Sequence, residues 1–147
     1  MTVPDAKIVV GVDGSDGSID ALRWAARQAE LTGAKLHVVT AWAFPEHRTP
    51  FGIVFDIAES ADPTARARSK LDDLIEDVLG KHEKVALRAE VIPGNEAAVL
   101  IEAARHADLL VVGSRGLGGF AGMVLGSVSA HCIRHARCPV VVIRHPE

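Results

Sequence analysis

Short β-branched runs alternate along this chain with stretches of helical period, and that alternation leaves few folds open. Lys7-Ile-Val-Val-Gly-Val12, Leu36 to Ala41, Leu109 to Val112 and Val140 to Arg144 have strand length and are rich in valine. Val85, Leu87, Ala89 and Val91 alternate with Ala86, Arg88 and Glu90, which predicts a further strand with one more polar face. Between these runs, Ile19, Leu22, Ala26 and Ala29 recur at helical spacing. So do Leu71, Leu74, Ile75, Val78 and Leu79, and then Ala97, Leu100, Ile101 and Ala104. A last helix is expected from about Ser127 to His135. Cap chemistry marks the ends: Ser15 or Asp16, Asp62 before Pro63, and Asn95 at starts, Gly33 and Gly80 at stops. Residues 42–62 carry Pro45 and Pro50 without a clear period and are read as a long loop.

Strands separated by helices imply βαβ units and a parallel sheet covered on both faces. The first, fourth and fifth strands are nearly continuous apolar runs, as doubly buried strands should be. The third is more polar and belongs at an edge. Right-handed crossovers then favour an α/β fold: a three-layer, open, parallel five-stranded sheet of order 3-2-1-4-5, Rossmann-like. Residues 1–147 are read as a single domain. Aromatic residues make up only 4%, so the core must be mainly Val, Leu, Ile and Ala.

The charge balance excludes some partners. A formal net charge of −3 gives no basic footprint for nucleic acid and no polybasic patch for a membrane surface. The apolar runs are too short to span a bilayer, and the first residues do not resemble a signal peptide. Cys132 and Cys138 make neither a disulfide framework nor a C-x-x-C pair. A cytoplasmic protein with two reduced thiols is the expectation.

One stretch needs a further reason. Gly113 to Ser127, GSRGLGGFAGMVLGS, holds six glycines and no carboxylate, although glycine costs backbone entropy. In the 3-2-1-4-5 order the winding reverses between the first and fourth strands, and ligands bind beyond the carboxyl ends there. Val12-Asp-Gly-Ser15 and Gly113-Ser-Arg-Gly116 leave those two ends. Gly113 and Gly116 can present backbone N–H groups to a phosphate. Gly126-Ser127 opens a helix whose free N–H groups favour an anion. Ser127 and Ser129 add hydroxyls, and Arg115 can make a charge-assisted contact. The Walker pattern is absent. Gly116-x-Gly118-x-x-Ala121 satisfies a dinucleotide pattern, but in the last βαβ unit and without an acidic residue for the ribose.

Gly113-x-x-Gly116, nine residues, then Gly126-Ser127 resembles the G-2x-G-9x-G-[ST] signature of the ATP-binding universal stress proteins. The likeness extends from Ile8-Val-Val-Gly-Val-Asp-Gly-Ser15 to Cys138-Pro-Val-Val-Val-Ile143. It implies the adenine nucleotide alpha hydrolase-like version of the 3-2-1-4-5 sheet, a homodimer, ATP binding and a role under stress. Carried over by position, Gly113, Arg115, Gly116, Gly126, Ser127 and Val128 would surround the phosphates. Asp13, with Gly14 and Ser15 beside it, would lie near the ribose or a phosphate-bound Mg²⁺. Val12 and Thr40 would lie near the adenine.

Other groups read more plainly. His131 and His135 share a helix face beside Cys132, which is better taken as helix surface than as a metal site. Trp24 and Trp42 are packing residues. Arg66, Arg68 and Lys70 lie with Asp72, Asp73 and Glu76 on one helix and read as a solvated face with i, i+4 pairs. No His, Lys or Glu stands in the glycine stretch, so no catalytic base is assigned and slow or absent ATP hydrolysis is expected. The other reading is a dimeric stress interaction protein that does not bind nucleotide. Strand 139–144 is an apolar sheet edge with no charge before Arg144, which suits pairing with a second copy. A downstream protein partner is expected but not named by the sequence.

Overall fold

The computed structural model describes residues 5–42, 62–115 and 125–146. The chain runs β1 (Lys7–Gly11), α1 (Asp16–Thr32), β2 (Lys35–Trp42), α2 (Pro63–Leu79), β3 (Leu87–Pro93), α3 (Glu96–Ala103), β4 (Leu109–Gly113), α4 (Ser127–His135) and β5 (Val140–Ile143). The strands form one sheet of order β3-β2-β1-β4-β5, and every pair is parallel.

The period-2 alternation of each strand divides its side chains between two helical layers. Ile8, Val10, Leu36, Val38 and Val111 pack under Ala21, Leu22, Ala25 and Ala29 of α1 and Leu71 and Ile75 of α2. Val9, Val39, Leu110 and Val112 pack under Val99, Leu100 and Ala104 of α3 and Cys132 of α4. Among the described residues the buried apolar side chains are Val, Leu, Ile and Ala, with Cys132. Trp24 lies partly buried against the first layer.

The expected caps form. Ser15, Asp62 and Asn95 accept from the backbone N–H groups of Ser18, Ala65 and Ala98. Gly33 closes α1 at φ 76°, a conformation that favours glycine. Gly80 closes α2 at φ 60°. The third strand starts two residues later than its alternation suggests, because the Val85 N–H is turned back to the carbonyl of His82. Its pairing with β2 then runs from Leu36↔Leu87 to Trp42↔Pro93. Most of the expected 42–62 loop lies outside the described residues. After β5, His145 Nδ1 meets Asp20 Oδ2 at 2.5 Å and fastens the tail to α1.

Candidate functional site

The ends of β1 and β4 lie side by side, since Ile8, Val9 and Val10 pair with Leu109, Leu110 and Val111. What leaves them therefore meets at the reversal of winding. There Gly11, Asp13, Ser15 and Ser18 face Val112, Gly113 and Arg115, with Val128 and Ser129 of α4 and Glu96 and Leu100 of α3 closing the pocket. The space enclosed is small, about 20 Å³. A much wider groove of about 930 Å³ lies between α2 and the β3 edge. Its lining includes Arg68, Asp72, Glu76, Asp77, Lys81 and His82, and no glycine-rich backbone converges there. Chemistry, not size, selects the pocket at the switch point.

The turn after β1 holds itself in shape. Asp13 Oδ1 accepts the Ser15 N–H at 2.9 Å, and the Asp13 N–H reaches Ser18 Oγ at 3.3 Å. Ser18 Oγ donates to the Ser15 carbonyl at 2.9 Å. Gly14 between them has φ 87°, where a Cβ would be strained. Asp13 is thus both the turn residue and a wall of the pocket.

The start of α4 is different in kind. Gly126 is its N-cap and offers no side-chain cap, whereas α1, α2 and α3 are each capped by a side-chain oxygen. First-turn N–H groups of Ser127 and Val128 therefore carry the helix's partial positive charge with no side-chain acceptor at the cap. Ser129 is buried, and its hydroxyl donates toward the Ser114 carbonyl at 2.9 Å and the Gly126 carbonyl at 3.0 Å. The Gly126 N–H also reaches the Ser114 carbonyl, at 2.5 Å. Ser129 thus ties the helix start to the end of β4, and its one proton is engaged.

The match to known proteins is now decisive. The chain matches the universal stress protein family over residues 6–144. It belongs to that family. It is 38% identical over 146 residues to a universal stress protein of Mycobacterium tuberculosis, an alignment taking in 92% of this chain and 46% of that protein. The chain thus spans about half the length of the curated relatives it matches. A universal stress protein solved in complex with cAMP superposes at TM-score 0.66 and 29% identity, over 97% of this chain and 98% of the other. Universal stress protein UspA from Lactobacillus plantarum gives TM-score 0.77 at 24% identity, over 97% and 100%, and shows the shared fold.

Against this universal stress protein frame the expected site residues separate. Asp13, Ser15, Gly113, Arg115, Val128 and Ser129 line one pocket. Gly14, Gly126 and Ser127 stand at its borders, in the turn and at the helix start. Val12 is buried in the α1/α2 layer, and Thr40 Oγ1 donates to the Val12 carbonyl at 2.8 Å. Both fix the end of β1, and neither lines the pocket. Gly116 lies outside the described residues.

The sequence reading missed Glu96. It opens α3, where a carboxylate suits the helix dipole, and the fold carries that start to the pocket wall. Burial, joined by the nearby charge of Asp13, pushes its carboxyl above the ordinary range. Behind it, burial pushes the Cys132 thiol up to about 11, with the charges of Glu96 and Cys138 adding. The only sequence cue was the capping pair Asn95-Glu96, which points to a helix start and not to a site. His131 and His135 are exposed, their rings 4.9 Å apart. Among the described residues no group of three or more His, Cys, Asp or Glu gathers as a metal site would, and no helix is long and apolar enough to cross a membrane.

The donor set suits an anion accompanied by a cation. Arg115 and the start of α4 offer positive charge, and Asp13 and Glu96 offer the hard oxygens a Mg²⁺ ion takes.

Proposed function

We propose that this chain is a cytoplasmic, homodimeric regulator of the stress response that binds ATP with Mg²⁺ at the switch-point pocket. The observation that carries the reading is the meeting of three backbone ends: the Asp13 turn, Gly113 to Arg115, and the start of α4, which has no side-chain cap. The G-2x-G-9x-G-[ST] spacing supports it. So does the 29% identical universal stress protein solved with cAMP, another adenine nucleotide. In this reading Arg115 and the α4 N–H groups hold phosphate oxygens, and Asp13 orients the ribose or a phosphate-bound Mg²⁺. The ion would supply charge neutralisation. Strand 139–144 pairs two copies, and the nucleotide state is passed to a downstream protein.

Hydrolysis is slow or absent in this reading. Asp13 is bonded within its own turn, and no His or Lys stands among the described lining residues to serve as a base. Calorimetry with ATP up to millimolar concentration, with and without Mg²⁺, tests binding. Saturable heat is expected. Silence in both arms would leave the reading of a dimeric interaction protein without a nucleotide. Phosphate release under saturating ATP should stay far below about 10 s⁻¹, the ordinary enzyme median.

A further inference from the structure

Two carboxylates border a pocket read as a phosphate site, and that juxtaposition has consequences for ligand choice. Asp13 comes from the β1–α1 turn and Glu96 from the first turn of α3. Arg115, at the end of β4, is the single cationic side chain among the described lining residues. On α4, Cys132 feels the charge of Glu96, and it is a buried thiol that is neutral near pH 7. The formal charges therefore do not favour a bare polyanion. Like charges a few ångströms apart in a half-buried site repel far more than in water. Asp13 Oδ1 accepts the Ser15 N–H within its own turn.

We propose that Glu96 is a specificity-determining residue of this pocket: its carboxylate opposes each uncompensated negative charge that a ligand brings. A polyphosphate then binds tightly only with a divalent cation, while a singly charged adenine nucleotide binds without one. The raised affinity of Glu96 for a proton agrees with a carboxylate that is poorly hydrated and, to a lesser degree, already opposed by the charge of Asp13. This inference rests on the nucleotide reading. It adds a discriminating element on α3, an element the glycine signature does not touch.

The test is a charge ladder. Cyclic AMP, AMP and ATP are titrated into the wild-type chain and into Glu96→Gln, first without metal and then with Mg²⁺. Glu96→Gln should bind metal-free ATP about tenfold more tightly than wild type. The gain should be smaller for AMP and near zero for cyclic AMP. Mg²⁺ should close the ATP gap. Glu96→Asp, which keeps the charge, should behave as wild type, and thermal midpoints confirm that each variant folds. An equal change for all three ligands would mark Glu96 as merely structural and overturn the proposal. So would weaker binding of metal-free ATP by Glu96→Gln. Silence of the wild type toward every ligand, with and without Mg²⁺, would instead bring down the nucleotide reading, and this inference with it.

Discussion

A Cβ on Gly113 would stand 2.8 Å from the carbonyl carbon of Gly17, so the end of β4 and the first turn of α1 touch backbone to backbone. The contact is reciprocal: a Cβ on Gly17 would meet the Arg115 carbonyl oxygen at 3.0 Å. Real Cβ atoms essentially never stand as close as the first distance and seldom as close as the second, and neither side can move without disturbing the sheet or the helix. Gly113→Ala should therefore cost about 1–3 kcal/mol of folding stability, as overpacking does. Gly17→Ala is the sharper case. In an ordinary helix interior it would gain up to about 1 kcal/mol, and here it should gain nothing or lose. Urea midpoints of the two variants check this; a stabilised Gly113→Ala would contradict the contact.

Gly113 also shows what the sequence could and could not say. Its glycine was legible as necessary, and the pattern assigned the reason to ligand approach. The structure adds a close helix–strand contact, which no local pattern records. Strands, helices and caps were legible because period and cap chemistry are local: Ser15, Asp62, Asn95 and Gly33 act as their residue types require. The sheet order followed from the polarity of the Arg88 and Glu90 face. Glu96 was not legible, because only the crossover from β3 through α3 to β4 brings it to Asp13. Val12 and Thr40 were expected near an adenine; the structure adds that the Thr40 hydroxyl donates to the Val12 carbonyl and that Val12 is buried. The two-residue delay of β3 came from a turn at His82 that alternation alone does not reveal.

His37 sets a pH dependence. It sits on β2, 6% exposed, with Nε2 2.8 Å from Glu90 Oε1, while Nδ1 is buried and finds no partner among the described residues. Burial lowers its pKa from the ordinary 6.5 despite the opposing bond to Glu90, and the charges of Lys7 and Arg88 act in the same direction as burial. The folded state thus prefers the neutral ring. The unfolded chain takes up the proton first as pH falls through 6.5, so stability declines below that value until the folded ring also protonates. Wild type should lose ground to His37→Leu between neutral pH and about pH 5 in urea titrations. If wild type gained on the variant instead, the Glu90 bond would outweigh burial.

Arg115 offers a direct probe of the anion site. It lines the pocket at the end of β4, half-buried, where a guanidinium can meet phosphate oxygens with two donors. Arg115→Ala should weaken ATP·Mg²⁺ binding by about 1.5–3 kcal/mol, the range for a charged hydrogen bond. Arg115→Lys should recover only part of that, since an ammonium lacks the planar fork. Calorimetry reads both. Unchanged affinity in Arg115→Ala would place the phosphates elsewhere.

The open edge of β5 can be probed by a residue chosen from the ladder itself. In a strand, alternate residues direct their backbone groups to opposite neighbours. The Leu110 N–H bonds to the Pro139 carbonyl and the Ser114 N–H to the Ile143 carbonyl, so Pro139, Val141 and Ile143 point their backbone at β4. Val140 and Val142 therefore direct theirs to the outer edge. All four residues of β5 are only half-buried in the single chain, and His145 fastens the tail to α1. A second copy pairing antiparallel across a two-fold axis would satisfy those outward groups on both chains. Val142→Pro removes an outward N–H and leaves the bonds to β4 in place, and edge positions tolerate proline. It should convert a dimer to a monomer with a modest loss of folding stability. Val141→Pro strikes the β4 ladder and should destabilise the protomer itself. Sedimentation velocity at micromolar concentration separates the two. A wild type already monomeric, or a Val142→Pro variant still dimeric, would show that β5 is not the seam.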